Sequence, residues 1–334
     1  NVVDICPVGA LTSKDFRFQA RVWYLKRSDS VCAFCANGCN IEIFDREGHI
    51  FRFRPRYNPE VNDYWMCDAG RVGYRQIQGE GRLIVPQIRS GEEFREASWK
   101  AAFDAFASGL RACDGAVGGI VSAFATNEEA FLFQRLVQSV APPGATVPIA
   151  GHAWSPADGY SDDLLIKADK NPNRRGLEAL GIPTDAHAVE GILEDVRAGR
   201  LKGLIVFGAD LVGELGREKV EPALEALSFL GLIDLRRSET SLYADVLLPS
   251  SSFAETDGTF TNHAGRVQRI WQAFPPPGQA MEGWKLLVTA LELAGEKWPS
   301  AENVFASLAA ESSAFSGLSY QSLGAAGAPL ASTT

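Results

Sequence analysis

The chain has 334 residues, 46% of them hydrophobic, and a formal net charge of −9, so it can bury one large core or two smaller ones. The acidic balance leaves no basic stripe for nucleic acid, and no apolar run approaches the roughly 20 residues of a spanning helix. We therefore expect no nucleic-acid partner and no direct insertion into a membrane.

Residues 1–27 are predicted to be the end of a ferredoxin-like cluster domain, with one cysteine, Cys6, directly before Pro7. A Cys-Pro pair is typical of the last ligand in a ferredoxin-type cluster, where proline ends local regularity just after the ligand. The other three ligands would lie upstream and are absent from this sequence. The alternative is that Cys6 is a small buried apolar residue, a common role of free cysteine.

Four further cysteines follow at a Cys-x2-Cys-x3-Cys-x27-Cys spacing: Cys32, Cys35, Cys39 and Cys67. The first three can share one tight loop, in which Gly38 permits a backbone conformation that a Cβ would resist. Thiolate is the soft ligand that iron–sulfur chemistry requires, and backbone N–H groups of this loop are candidate donors to sulfur. The spacing predicts one [4Fe-4S] cluster held by these four residues.

Zinc and disulfides are the alternatives at these cysteines. A four-thiolate zinc site usually pairs two short Cys-x2-Cys knuckles, whereas Cys67 has no neighbouring Cys or His. Six cysteines in 334 residues are too sparse for a disulfide scaffold. The sequence therefore favours the cluster over both.

The segment between Cys39 and Cys67 is predicted to form a β-hairpin. Residues 41–56, IEIFDREGHIFRFRPR, alternate apolar and polar side chains around the turn DREG. Such a hairpin carries the chain out and back, so that the fourth ligand can reach the loop of the first three. His49 fits the strand pattern, and we expect it to be an exposed hairpin residue. Residues 28–80 thus form a small β-rich cluster module.

Beyond the cluster module the pattern changes to alternating helices and buried apolar strands. Apolar residues at helical spacing predict a helix in SWKAAFDAFASGLRAC, with Cys113 in the core. A second helix is predicted over Asn127–Val140, with Thr126 as its N-cap and with Glu128 and Glu129 near the positive end of its dipole. The runs GGIVSA, GLIVF and ADVLLP predict buried strands. The alternation predicts a mostly parallel, doubly wound α/β sheet.

Ligands of such sheets bind beyond the carboxyl ends of the strands, which makes Gly208, Ala209 and Asp210 the expected contact points. No dinucleotide, nucleotide-phosphate or hydrolytic motif is present in the sequence. The polar stretch around His263 would suit a ligand or an interface, although a lone histidine is more often a hydrogen-bonded structural residue.

Residues 81–310 are assigned to the α/β domain. The Pro- and Gly-rich run 141–163 is expected to be a long loop. Residues 311–334 end in small and polar side chains, which predicts a flexible tail.

Through almost its whole length, the chain resembles the large iron–sulfur subunit of the NADH-quinone oxidoreductase complex, respiratory complex I, in the molybdopterin oxidoreductase superfamily. The motif CPVGAL is similar to the end of that subunit's ferredoxin-like region. The segment from Cys32 to Arg71 is similar to its additional cluster module. The stretches ATNEEAFLFQRLV, LLIKADKNPNRRGLEALG and FAETDGTFTNHAGRVQRI resemble its molybdopterin-oxidoreductase-like α/β domain.

The resemblance implies an electron-transfer and scaffold subunit in the peripheral arm of an ion-translocating NADH:quinone oxidoreductase. It implies other peripheral-arm subunits as partners, a location at the cytoplasmic face of the bacterial inner membrane, and no independent substrate chemistry on this chain. The four-cysteine module would hold a [4Fe-4S] cluster away from the main electron path. Cys6 would be the last ligand of a second [4Fe-4S] cluster on that path.

Two departures from the superfamily pattern predict that no molybdopterin is bound. Active molybdenum members carry a Lys after the fourth cluster ligand, whereas Asp68 follows Cys67 here, and Cys113 does not suit a molybdenum ligand. The stretch from Val140 to Asp163 also looks shortened, which predicts a reduced α/β domain. The alternatives are a catalytic molybdenum or tungsten enzyme, such as the large subunit of an NAD-linked formate dehydrogenase, and a structural module that holds no cluster.

Overall fold

The computed structural model describes residues 1–154, 156, 159–292 and 298–331. Its N-terminal part contains a short helix, a three-stranded antiparallel sheet and two further short helices. In chain order these elements are α1 (Val2–Ile5), β1 (Lys26–Val31), β2 (Asn40–Arg46), β3 (His49–Pro55), α2 (Asp68–Val72) and α3 (Tyr74–Gln78).

The predicted hairpin is present as β2 and β3. Its two central turn residues are Glu47 and Gly48, with φ of 54° and 80°, the left-handed backbone that two-residue hairpin turns need. The turn therefore lies one residue later than the sequence predicts. His49 opens β3 and is exposed, as expected. Apolar residues of both strands, including Ile41, Ile43 and Phe53, form the core of the module.

The rest of the chain is a mixed α/β structure. Its elements are β4 (Gln87–Ser90), β5 (Glu93–Glu96), α4 (Trp99–Ala112), β6 (Val117–Ser122), α5 (Asn127–Ser139), β7 (Ile149–His152), α6 (Arg174–Ala179), α7 (Ala186–Arg197), β8 (Gly203–Phe207), α8 (Leu211–Leu215), α9 (Arg217–Glu225), β9 (Phe229–Asp234), β10 (Val246–Pro249), β11 (Gly258–Thr261), β12 (Arg266–Ile270), α10 (Gly283–Glu292), α11 (Ala301–Glu311), α12 (Tyr320–Leu323) and β13 (Ala328–Pro329).

The central sheet has the order β5-β4-β10-β9-β8-β6-β7. Five neighbouring strands, from β10 to β7, are parallel, and the β4–β5 hairpin joins one edge in antiparallel fashion. Residues of β6 and β8 are buried throughout, which explains their continuous apolar sequence. Chain order reverses between β6 and β8, so the topological switch point lies between these two strands.

The helices follow the predicted pattern closely. Thr126 caps α5 in a full capping box, in which Thr126 and Glu129 each accept a hydrogen bond from the other's backbone. Cys113 follows α4 and is 1% exposed within the core. The sequence therefore predicted both the start of α5 and the structural role of this cysteine.

Two predictions about irregular segments are wrong. The run 141–163 is not only a loop, since β7 pairs with β6 inside it. Residues 311–331 are not a flexible tail, because β13 pairs with β12 and three side chains are almost fully buried: Phe315, Tyr320 and Leu323. These few apolar residues among many small ones anchor the segment. Residues 332–334 lie outside the described part.

Candidate metal centre

Three of the four predicted ligands lie on one loop between two strands. β1 ends at the residue before Cys32, and β2 begins at the residue after Cys39. The backbone N–H of Cys32 donates to the carbonyl of Cys39 over 2.8 Å, which closes the loop. Gly38 has a φ of +65°, the left-handed conformation that the sequence predicted there. The loop geometry thus follows directly from the local sequence.

Cys67 reaches the site from the other end of the module, where it precedes α2 and its thiol accepts a hydrogen bond from Gly70 N–H over 3.3 Å. The loop before it is held by buried asparagines. Asn62 accepts from the Asn40 N–H over 2.9 Å, and its own amide donates to the carbonyl of Trp65 over 2.9 Å. Because Asn40 directly follows Cys39, this network connects both halves of the ligand set.

The four thiols converge. A Cβ added to Gly70 would lie 3.1 Å from Cys32 Sγ and 3.4 Å from Cys67 Sγ, so glycine leaves open a space that both sulfurs border. Mutual charge repulsion among all four thiols contributes to the raised pKa values of Cys32 and Cys39. The structure therefore brings Cys32, Cys35, Cys39 and Cys67 together, as the spacing predicted.

The thiols are well shielded from water. Cys32, Cys35 and Cys39 are between 4% and 8% exposed. Burial is the main cause that raises the pKa of Cys39 to about 12 and that of Cys32 well above its usual value. Such thiols give up their protons only when a metal replaces them.

Each of these sulfurs also has polar neighbours that oppose the effect of burial. The side-chain amide of Asn37 donates to Cys39 Sγ over 3.1 Å, and the backbone of Phe34 hydrogen-bonds to the thiol of Cys32. Donors of this kind stabilise negative charge on cluster sulfur. Sequence reasoning predicted the backbone donors of the loop but missed the Asn37 amide and the Gly70 N–H.

The donor set fits a [4Fe-4S] cluster. Four thiolates with N–H donors to sulfur, around a space kept open by a glycine, match what such a cluster needs. Among the described residues, no group of three or more His, Cys, Asp or Glu side chains is arranged to hold a single metal ion. A cluster does not require that arrangement, because each of its four thiolates binds a different iron.

Cys6 lies apart from this group, on the loop that follows α1. Backbone N–H groups, that of Leu11 foremost and then that of Val8, lower the pKa of the Cys6 thiol. The segment is fastened to the cluster module through Asp4, whose carboxylate lies 2.7 Å from Arg71 and 3.2 Å from Arg54. Arg71 belongs to α2, so the Cys6 segment packs beside the helix that follows Cys67.

A cavity of about 280 Å³ lies at the switch point of the sheet, between the cluster module and the α/β domain. Phe34 of the cluster loop, Ser122 at the end of β6 and Gly208 after β8 line it. Of the three expected contact residues only Gly208 does so. Ala209 is buried, and Asp210 instead caps α8 and accepts from Thr240.

Sequence reasoning missed several polar groups at this cavity. The hydroxyls of Ser250, Ser251 and Ser252 line it and have no hydrogen-bond partner within the described ranges. Burial raises the pKa of Asp234 at the end of β9 to about 7, and that of Glu129 likewise to about 7. The rule that singled out Gly208 after β8 would also have singled out Asp234, since both follow buried parallel strands.

His263 is not placed as a ligand. It is exposed, and its backbone N–H donates to the carbonyl of Ala36 in the cluster loop over 2.8 Å. The polar stretch that contains it forms β11 and β12, which pack directly against that loop. The expectation of a structural histidine is therefore confirmed.

Comparison with known proteins assigns two domains. Residues 25–79 match the model of the molybdopterin oxidoreductase Fe4S4 domain, and residues 175–292 match that of molybdopterin oxidoreductase. The solved structure of the acetylene hydratase from Pelobacter acetylenicus superposes with a TM-score of 0.57 over 88% of this chain and 73% of that one, at 10% identity, which shows the shared fold. The chain is thus an Fe4S4 module followed by a molybdopterin-oxidoreductase α/β domain.

The curated relatives point to one kind of protein within this class. The chain is 27% identical to the NADH-ubiquinone oxidoreductase 78 kDa subunit of Candida albicans over 90% of its own length and 57% of the relative. It is 40% identical to NADH-quinone oxidoreductase subunit 3 of Thermus thermophilus over 51% of this chain and 22% of that one. It is also 40% identical to an NADH-quinone oxidoreductase subunit of Streptomyces coelicolor over 41% and 16%. The resemblance to the large iron–sulfur subunit of NADH-quinone oxidoreductase is confirmed.

The chain spans between 16% and 57% of the length of these three relatives. The match to the Candida protein extends over 409 positions while it uses 90% of a chain of 334 residues. That relative therefore carries segments without a counterpart here, in accord with the shortening that the sequence suggests.

Proposed function

We propose that this chain is an electron-transfer and scaffold component of the peripheral arm of an ion-translocating NADH:quinone oxidoreductase. The observation that carries the proposal is the convergence of Cys32, Cys35, Cys39 and Cys67 around a space that Gly70 leaves open. A [4Fe-4S] cluster there would supply one-electron redox chemistry. The chain's own residues would hold the cluster, shield it from water and tune its potential, without substrate chemistry of their own.

We further propose that Cys6 is the last ligand of a second [4Fe-4S] cluster, whose other three thiols come from outside this sequence. The N–H groups of Leu11 and Val8 that lower its pKa support this role, since the same donors would stabilise a bound thiolate. Apolar side chains near it are strongly exposed, with Val8 at 80% and Phe18 at 91%. Such a surface suits coverage by a neighbouring part of the assembly.

We also propose that the α/β domain binds no molybdopterin. Asp68 takes the position at which active molybdenum members have a Lys, and its side chain is 94% exposed, with only Arg71 at 4.0 Å. A carboxylate turned to solvent cannot connect the cluster to a second redox group as a lysine would. The relatives named above are NADH-quinone and NADH-ubiquinone oxidoreductase subunits, which favours this proposal over a formate dehydrogenase.

The proposed partners are other peripheral-arm subunits, at the cytoplasmic face of a bacterial inner membrane. Within the described residues, no helix combines the length and apolarity that crossing a bilayer requires. A connection to the membrane would therefore be made through partner subunits.

The test is anaerobic quantification of iron, sulfide and molybdenum, together with EPR of the reduced protein. We expect about four irons and four sulfides per complete four-cysteine site, no molybdenum, and one [4Fe-4S] signal. Cys35→Ser should abolish that signal. Cys113→Ser is the matched control, because Cys113 is equally buried and lies outside the site, so this variant should retain it.

Other outcomes would decide between the alternatives. Molybdenum or tungsten with a bound pterin would establish a catalytic enzyme instead. A folded protein without broad visible absorbance after anaerobic reconstitution would establish a purely structural module. A signal that persists in Cys35→Ser would remove Cys35 from the site.

A further inference from the structure

Three consecutive carbonyl groups of the cluster loop are held by one hairpin far away in sequence. The backbone N–H of His263 donates to Ala36 O over 2.8 Å. The side-chain amide of Asn262 donates to Asn37 O over 3.2 Å, and that of Gln268 donates to Gly38 O over 2.9 Å. The donors lie on or between β11 and β12, more than two hundred residues after the loop.

These contacts are buried and close. Gln268 is 1% exposed and Asn262 is 3% exposed. A Cβ on Gly38 would lie 2.7 Å from Gln268 Oε1, so the amide packs against the loop only because residue 38 is a glycine. The hairpin is therefore built to fit this loop, and water does not compete for its hydrogen bonds.

The anchored peptide groups face Cys39 on their other side. A trans peptide points its N–H opposite to its C=O, so holding Gly38 O on the hairpin directs the Cys39 N–H away from the hairpin. That N–H hydrogen-bonds to the thiol of Cys39 itself. The same sulfur accepts the side-chain amide of Asn37 over 3.1 Å, and the carbonyl of Asn37 is the one that Asn262 holds.

We propose that Gln268 and Asn262 are positioning residues that keep two N–H donors directed at the sulfur of Cys39 and thereby raise the reduction potential of the cluster. Hydrogen bonds to cluster sulfur stabilise the added negative charge of the reduced state. The α/β domain thus sets the potential of a cluster whose four ligands all belong to the N-terminal module. The inference rests on the proposed function, since it needs a cluster at the four cysteines.

The test is an EPR-monitored redox titration of the reconstituted full-length protein. Gln268→Met keeps the size of the side chain and removes its donor. We expect full iron content, altered g values and a lower midpoint potential. The expected size is roughly a tenfold fall in the reduced-to-oxidised ratio at the wild-type midpoint, which is about 59 mV for a one-electron couple.

Gln272→Met is the matched control. Gln272 follows the same hairpin, and its amide donates to Glu255 O over 2.9 Å instead of to the cluster loop. This variant loses a comparable hydrogen bond and should keep the wild-type potential. An equal shift in both variants would show general loosening and would overturn the inference.

A second variant covers the case in which Gln268→Met does not fold. Asn37→Leu removes the side-chain donor to Cys39 directly and should lower the potential in the same direction. A complete cluster with unchanged potential in the variants would overturn the inference alone. A wild-type protein that takes up no cluster would contradict the proposed function, and the inference with it.

Discussion

Cys39 illustrates how single residues set the chemistry of the site. Burial raises the pKa of its thiol to about 12, and the hydrogen bond from Asn37 opposes that rise without cancelling it. The metal-free thiols therefore stay protonated at neutral pH, and cluster assembly must release their protons. The sequence predicted which cysteines bind, because their spacing is local. It did not predict their protonation, which depends on burial.

Gly70 provides a prediction for a single methyl group. Gly70→Ala places a Cβ 3.1 Å from Cys32 Sγ and 3.3 Å from Met66 Cε, closer than most real contacts. We expect iron content and visible absorbance to fall markedly, with a loss of stability of about 1–3 kcal/mol from overpacking.

The control is Gly191→Ala in α7, where a Cβ would meet nothing within 4 Å. It should retain the cluster and gain about 0.5–1 kcal/mol from the better helix propensity of alanine. Equal iron content in both variants would show that the space beside the sulfurs is not needed.

Glu128 provides a prediction for pH dependence. It is fully buried and accepts hydrogen bonds from Thr259 and Tyr320, and burial raises its pKa to about 8. The folded state then holds a proton that the unfolded state releases near its ordinary, lower pKa. This contribution is complete at acidic pH, and the free energy of unfolding falls as pH rises towards 8, by up to about 1.4 kcal/mol per pH unit.

Glu128→Gln should make this slope shallower, since glutamine does not titrate, while Glu129 retains its own contribution. Urea unfolding at several pH values between about 5 and 8 measures the slope. The exposed Glu302 in the first turn of α11 is the control, and Glu302→Gln should leave the slope unchanged. An unaltered slope in Glu128→Gln would contradict the assignment.

At the scale of elements, the hairpin β2–β3 and the loop after it deliver the fourth ligand. The alternation of apolar and polar residues predicted the hairpin because a strand repeats every two residues. The buried amides of Asn58 and Asn62, which fasten the returning loop to Asn40, were not predictable, because an asparagine in a loop is usually exposed. The segment after Glu311 shows the same limit, since composition alone does not reveal which side chains find a core.

The packing of that C-terminal segment can be tested with one phenylalanine. Phe315 is 0% exposed and packs edge to face against Phe305 of α11. Phe315→Ala should lower the free energy of unfolding by about 3–5 kcal/mol, through lost burial and the cavity left behind. Chemical denaturation measures the change.

The matched control is Phe18→Ala, because Phe18 is 91% exposed. It should change stability by less than about 0.5 kcal/mol. A small effect at both positions would show that the segment after α11 contributes little to the fold, as a flexible tail would.

At the scale of the whole molecule, the cluster module and the α/β domain share their contacts. Arg82, which follows the module, forms a bidentate ion pair with the buried Glu255 at 2.7 and 3.0 Å. Ala254 and Phe274 of the α/β domain belong to the same apolar core as Ile41 of the module. Changes in the cluster site should therefore be felt in the stability of the entire chain.

We expect anaerobic reconstitution with iron and sulfide to raise the thermal unfolding midpoint of the full-length protein. A ligand present at about 100 to 1,000 times its Kd stabilises the folded state by about 3–4 kcal/mol. Differential scanning fluorimetry with and without reconstitution measures the shift. Cys35→Ser should show little or no shift and Cys113→Ser the wild-type shift. Equal shifts in wild type and Cys35→Ser would indicate iron bound elsewhere.

The sequence by itself determined the four cluster ligands, the hairpin between them and the alternating α/β pattern. Each of these follows from short spacings or from the periodicity of a single element, which are local properties. Only the tertiary structure decided the rest: the hairpin of Asn262 and Gln268 against the cluster loop, the protonation of buried Glu128, and the anchoring of Phe315. Those depend on burial and on contacts between distant residues, which exist only once the chain has folded.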